Sequence, residues 1–164
     1  MSTSRIMLHA MLMALGLLLF AGPAPAADTD RHAGYYYPPV SSRETYRARA
    51  AVMPEASSDT RLGFVTALAY QQNGRAYPPT FVMFAKGEDF ERLIIVAIGS
   101  HGFRGLYQAR AMLAQLTSIA RGTPMFRDNN LQDVLTFLDL ARMMGFEELT
   151  MSDGQTFAHR ITLK

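Results

Sequence analysis

The sequence predicts an α+β fold, an antiparallel sheet with an αα-hairpin packed on one face. Three observations carry that reading. Residues 81–85 and 93–98 are short apolar runs rich in Phe, Val and Ile, parted by the polar stretch 86–92 with its single Gly87, the pattern of a β-hairpin. Leu106, Ala109, Met112, Leu113, Leu116, Ile119 and Ala120 then recur at three- and four-residue steps, which puts them on one side of a helix. Leu131, Val134, Leu135, Phe137, Leu138, Ala141 and Met144 repeat that pattern after a short connector, so two consecutive helices are expected to pack side by side.

The chain opens on a leader. Arg5 supplies a positive start, residues 6–20 are almost continuously apolar, and Ala21-Gly22-Pro23-Ala24-Pro25-Ala26-Ala27 ends in small residues. That order is the mark of a secretory signal peptide cut near Ala26 or Ala27. An uncleaved anchor is the competing reading, and the apolar run is short for a span of about 20 residues. The domain plan is therefore 1–27 signal peptide, 28–40 a Tyr/Pro-rich arm, and 41–164 a single α+β domain. Export to the periplasm, or secretion, follows, with membrane contact only during transit.

The chain has 164 residues, is 49% hydrophobic and carries a formal charge of +2. That suits one packed domain and argues against disorder. No run of Lys or Arg exceeds two residues, so there is no electrostatic footprint for nucleic acid. There is no cysteine, so stability rests on packing rather than on disulfides.

In the arm, Tyr35, Tyr36 and Tyr37 precede Pro38 and Pro39. The prolines predict extended backbone. One reading makes the tyrosines a partner-binding surface; the other lays them on the domain's own sheet as packing area. Residues 42–53 read as either helix or strand: Ser41 and Glu44 fit a capping box, yet Tyr46, Ala48, Ala50 and Val52 alternate with neighbours as in a strand. The balance leans to a helical turn entering a strand. Residues 62–70 read as a strand running into a helical turn near Gly74.

Residues 81–85 and 93–98 follow, the second apolar throughout and hence covered on both faces. Glu88, Asp89 and Glu91 between them form a solvated cluster. Gly122 and Pro124 stop the first helix, Asn129 or Asn130 caps the second, and Gly145 ends it. Asp153-Gly154 reads as a two-residue hairpin turn. That register sets Glu147 opposite Arg160 and Glu148 opposite His159.

Chemistry-bearing patterns are few. Gly99, Ser100, His101, Gly102 and Arg104 lie in a loop entering a helix N-terminus, where backbone amides and the helix dipole favour an anion. The loop matches no established phosphate-binding pattern. His32, His101 and His159 are far apart and no close ligand spacing exists, so no metal and no cofactor is expected. There is no G-x-S-x-G elbow.

Tyr35-Tyr36-Tyr37-Pro38, the runs at 81–87 and 93–97, and Ser152-Asp153-Gly154 with Phe157-Ala158-His159 resemble a family of small exported bacterial proteins of unknown role. Some members carry the label molybdopterin-guanine dinucleotide biosynthesis protein A. The nucleotidyltransferase of that name opens on a glycine-rich nucleotide loop, which is absent here. The resemblance implies export and one compact domain, and transfers no catalytic residue. The expected function is a non-enzymatic binding or accessory module for a protein partner or small ligand. The alternative is an anion-binding protein or enzyme built on the loop from Gly99 to Gly105.

Overall fold

The structure, a computed structural model, describes residues 32–74, 79–99 and 105–164. The leader and Ser100, His101, Gly102 and Arg104 lie outside the described residues. Five strands form one sheet: β1 (Ser42–Tyr46), β2 (Phe81–Lys86), β3 (Arg92–Ala97), β4 (Glu148–Ser152) and β5 (Ala158–Leu163). Their order is β1-β5-β4-β3-β2. The helices are α1 (Ser58–Asn73), α2 (Leu106–Arg121), α3 (Pro124–Asp128) and α4 (Phe137–Met143).

The sheet is mixed, which corrects the antiparallel expectation. β2–β3 and β4–β5 are antiparallel hairpins, but β3–β4 and β1–β5 run parallel. A parallel neighbour needs a long crossover, and the segment carrying α2, α3 and α4 supplies it between β3 and β4. Once that crossover covers one face, β3 must be apolar on every side. Leu93, Ile94 and Ile95 are all fully buried, as the unbroken run predicts.

The helix expected over 106–121 forms with those bounds, burying Ala109, Met112, Leu116 and Ala120. Its partner does not start at Asn129 or Asn130. Asn130 takes a positive φ of 54° in a turn, and Val134 is exposed. α4 starts only after Thr136, which caps it in a reciprocal box with Asp139. α2 and α4 do touch, and Phe137 N–H donates to Thr117 Oγ1 at 3.1 Å. Between them stand α3 and a turn, a longer connection than the short link expected.

Two assignments change. Residues 62–70 are helical, inside α1, whose start is capped by Ser57 Oγ accepting from Thr60 N–H at 3.2 Å. Residues 42–46 are a strand with no helical turn leading in. The last hairpin also shifts. Its loop is 153–157, so Glu148 faces Thr162, Thr150 faces Arg160 and Met151 faces His159. The Asp153 carboxylate closes that loop by accepting from the N–H groups of Gln155, Thr156 and Phe157 at 2.8–2.9 Å. A two-residue turn offers no room for that arrangement.

The sheet has two differently covered faces. On one, Phe81, Met83, Leu93, Ile95, Leu149, Met151, Ile161 and Leu163 join the helices in the main core, with Phe126, Phe137 and Phe146 fully buried. On the other, Ile94 and Ala158 lie under the arm, whose Tyr37 is 2% exposed. The unit from His32 to Lys164 therefore includes residues 32–40 of the arm as a structural part.

Candidate functional site

Gly34 lets the arm fold back on itself. With φ of +85° its N–H donates to Tyr37 O, while the Tyr35 and Tyr36 N–H groups both turn toward His32 O at 3.3 and 3.1 Å. So residues 32–37 are a compact turn, in place of the extended arm that Pro38 and Pro39 predict. The turn sends its three tyrosines in different directions.

Tyr37 points into the sheet, near Ile94 and Ala158, with its hydroxyl 3.4 Å from an Arg160 guanidinium nitrogen. It belongs to the domain's own packing. Tyr36 lies on Phe84 of β2, ring centres 4.9 Å apart, and Lys86 Nζ sits 5.0 Å from the centre of its ring. Tyr35 stands edge-on against Tyr36 at 4.7 Å and 75°, and remains 81% exposed. Such a tilted stack is favourable for aromatic quadrupoles, and a cation over the ring adds to it. The result is a stepped platform with an open tyrosine at its top.

Phe84 and Lys86 were not singled out by the sequence reading. The signal was present: they stand two apart on one strand, so period-two alternation puts both on the same face. What links that face to the arm is a contact across some fifty positions of sequence, which no local pattern reveals.

The platform borders a sheet edge. β2 pairs with β3, and its other edge has no strand partner among the described residues. Along that edge runs a cleft of about 160 Å³ lined by Ala69, Gln72 and Asn73 of α1, by Pro79, and by residues 81–84. Phe84 thus belongs both to the cleft and to the tyrosine platform. An open strand edge offers backbone donors and acceptors to an extended segment, and neighbouring side chains then select among segments.

Of the loop expected to bind an anion, Gly99 lies just past the C-terminal end of β3 with φ of +78°, and Gly105 precedes α2 without a side-chain cap. The intervening members fall outside the described residues. Among the described residues no group of three or more His, Asp or Glu is placed to hold a metal ion, and no helix is long and apolar enough to cross a membrane.

The charged pairs expected in the last hairpin are exchanged. His159 contacts Glu44 of β1, with Nε2 3.4 Å from Oε1, and Arg160 takes Glu148, with Nε 3.2 Å from Oε1. The longer 153–157 loop moves both pairings, and the parallel strand β1 brings in a carboxylate that the hairpin alone does not contain. Elsewhere, the fully buried Asp139 accepts from Arg49 N–H at 2.8 Å, Thr136 N–H at 2.7 Å and Tyr46 O–H at 3.1 Å. Burial alone raises its pKa, but these donors outweigh burial and hold the carboxyl below its ordinary value. Its role is to lock the end of β1 onto α4.

No protein-family model, no curated protein and no solved structure matches the chain.

Proposed function

We propose that the chain is an exported recognition module that binds an extended segment of a protein partner along the free edge of β2, beside the tyrosine platform. One observation carries the reading: an 81%-exposed Tyr35 stands edge-on against Tyr36, which itself lies on Phe84 with Lys86 over its ring, next to an open strand edge. Exposed aromatic rings on rigid supports are the side chains that anchor interfaces, because they offer large contact area at low entropic cost. The leader at 1–27 and the resemblance to small exported proteins support a periplasmic setting. Binding is the task of this surface, and it requires no cofactor.

The test separates the open tyrosine from the buried one. Tyr35→Ser combined with Lys86→Glu is expected to lower the melting temperature by only a few degrees, since Tyr35 is exposed and Lys86, half-buried at the end of β2, gives up its contact over the Tyr36 ring. The same double variant is expected to lose the partner that co-purifies with the native protein from periplasmic extract. Retention of that partner at native yield counts against the reading. Removing the whole arm does not make this test, because Tyr37 goes with it.

A further inference from the structure

At the opposite edge of the sheet, the parallel register of β1 on β5 sets Ser42 directly beside His159. Ser42 Oγ lies 2.8 Å from His159 Nδ1. On the other side of the ring, Glu44 Oε1 stands 3.4 Å from Nε2. Glu44 is itself held by Arg110 of α2, 3.2 Å from its second carboxylate oxygen. Ser42 and Glu44 are two apart on one strand, so both project to the face that carries His159.

Two features set this cluster apart from a merely satisfied histidine. The imidazole is 2% exposed, yet its Nε2 finds no aligned hydrogen-bond acceptor among the described residues. A buried polar nitrogen left in that state calls for an explanation. The carboxylate beside it can only accept, so Nε2 carries the proton, and Nδ1 then presents its lone pair to the Ser42 hydroxyl. That is the tautomer a general base needs. Ser42 is also only partly buried and stands on an edge strand.

We infer that Ser42, His159 and Glu44 form a nucleophilic triad acting on carboxylic esters. The arrangement is defined by roles and geometry rather than by any sequence order. Ser42 Oγ attacks the ester carbonyl carbon while its proton passes to His159 Nδ1. Glu44 faces the imidazolium at Nε2 and stabilises its charge. The carbon–oxygen bond to the alcohol then breaks, and the alcohol leaves with the proton from Nδ1. Water repeats the sequence on acyl-Ser42, giving its proton to Nδ1; the bond between the acyl carbon and Oγ then breaks, Ser42 Oγ takes that proton back, and the carboxylic acid is released. Glu44 is the positioning residue, and Arg110 keeps it in place from the side of α2. This activity does not rest on the recognition surface at β2, and either can fail without the other.

The experiment treats the purified native protein with a fluorophosphonate, which transfers its phosphoryl group to an activated serine with loss of fluoride. Peptide mapping is expected to find one adduct, at Ser42, and none at Ser41, the exposed serine next to it. Ser42→Ala should abolish the adduct and lower hydrolysis of p-nitrophenyl acetate at least tenfold. Glu44→Gln should slow labelling at least tenfold at native circular dichroism and change the shape of its pH–rate profile, which a purely structural role leaves alone. Glu44→Asp should restore part of the rate. His159→Gln, where folded, should label as slowly as Glu44→Gln or more slowly. No adduct at Ser42, equal labelling of Ser41, native labelling rates in folded Glu44→Gln, or ester hydrolysis unchanged in Ser42→Ala would each overturn the inference.

Discussion

Asp153 shows how much one carboxylate can organise. Burial works to raise its pKa, but hydrogen bonds from Thr156 Oγ1 and from the N–H groups of Phe157, Gln155 and Thr156 outweigh burial and lower it from 3.8 to about 2. A depressed carboxylate contributes stability that is fully present above its unfolded pKa and is lost as pH falls through its folded value. The window is therefore from about pH 4 down to about pH 2. Allowing for solvent screening, the contribution is on the order of 1–2 kcal/mol. Thermal melts across that range should show a decline that Asp153→Asn largely removes. Gly145 is a second such position. Its φ is +84°, and a Cβ there would collide with the Arg61 guanidinium, whose Nε donates to Asp89 O at 2.8 Å. Gly145→Ala should cost roughly 1–3 kcal/mol, from left-handed strain and the displaced arginine together, read as a lower urea midpoint. Neither role could be read from the sequence in full. The Asp153-Gly154 turn signal was visible, but three amides converging on one carboxylate lengthened the loop and moved every strand pair after it.

At the scale of elements, legibility follows how cleanly each one divides its faces. β2, β3 and α2 were readable because their buried positions are uniformly apolar and sit at the right period. α1 was not. Its buried side includes Arg61, while Leu62 and Tyr70 lie exposed, so apolar residues no longer mark one side and the helical period is blurred. Its cap at Ser57, with Asp59 in the first turn, was the available signal. Gly63 also argued against a helix; it is exposed, mid-helix, and nothing lies within 4 Å of where a Cβ would stand. Gly63→Ala should therefore stabilise the fold by about 0.5–1 kcal/mol, seen as a rise of a few degrees in melting temperature. The arm behaves as an element of the core rather than as a tail. Tyr37→Ala should cost about 3 kcal/mol, in the range for removing a buried aromatic ring, and more than Tyr37→Phe, which keeps that ring in place. Chemical denaturation of the two variants side by side checks both. β1 was ambiguous in sequence for a different reason: its partner β5 lies more than a hundred positions away, and nothing local encodes a parallel pairing.

On the scale of the whole molecule, one sheet presents two dissimilar edges. β1 is pinned by Tyr46 to Asp139 of α4 and by Glu44 to Arg110 of α2. β2 is left open and is flanked by the tyrosine platform on one side and the α1 cleft on the other. The α+β class was legible in the sequence; the open edge was not, because it depends on strand order, which the parallel pairs decide. The proposed recognition surface is tested most directly by placing a photo-reactive phenylalanine analogue at position 35 and, separately, at position 107. Tyr107 is similarly exposed but stands on α2 over the other face. Irradiation of intact cells should yield a discrete cross-linked partner from position 35 and none from position 107. A partner reached from 107 alone, or none from 35, would contradict the account.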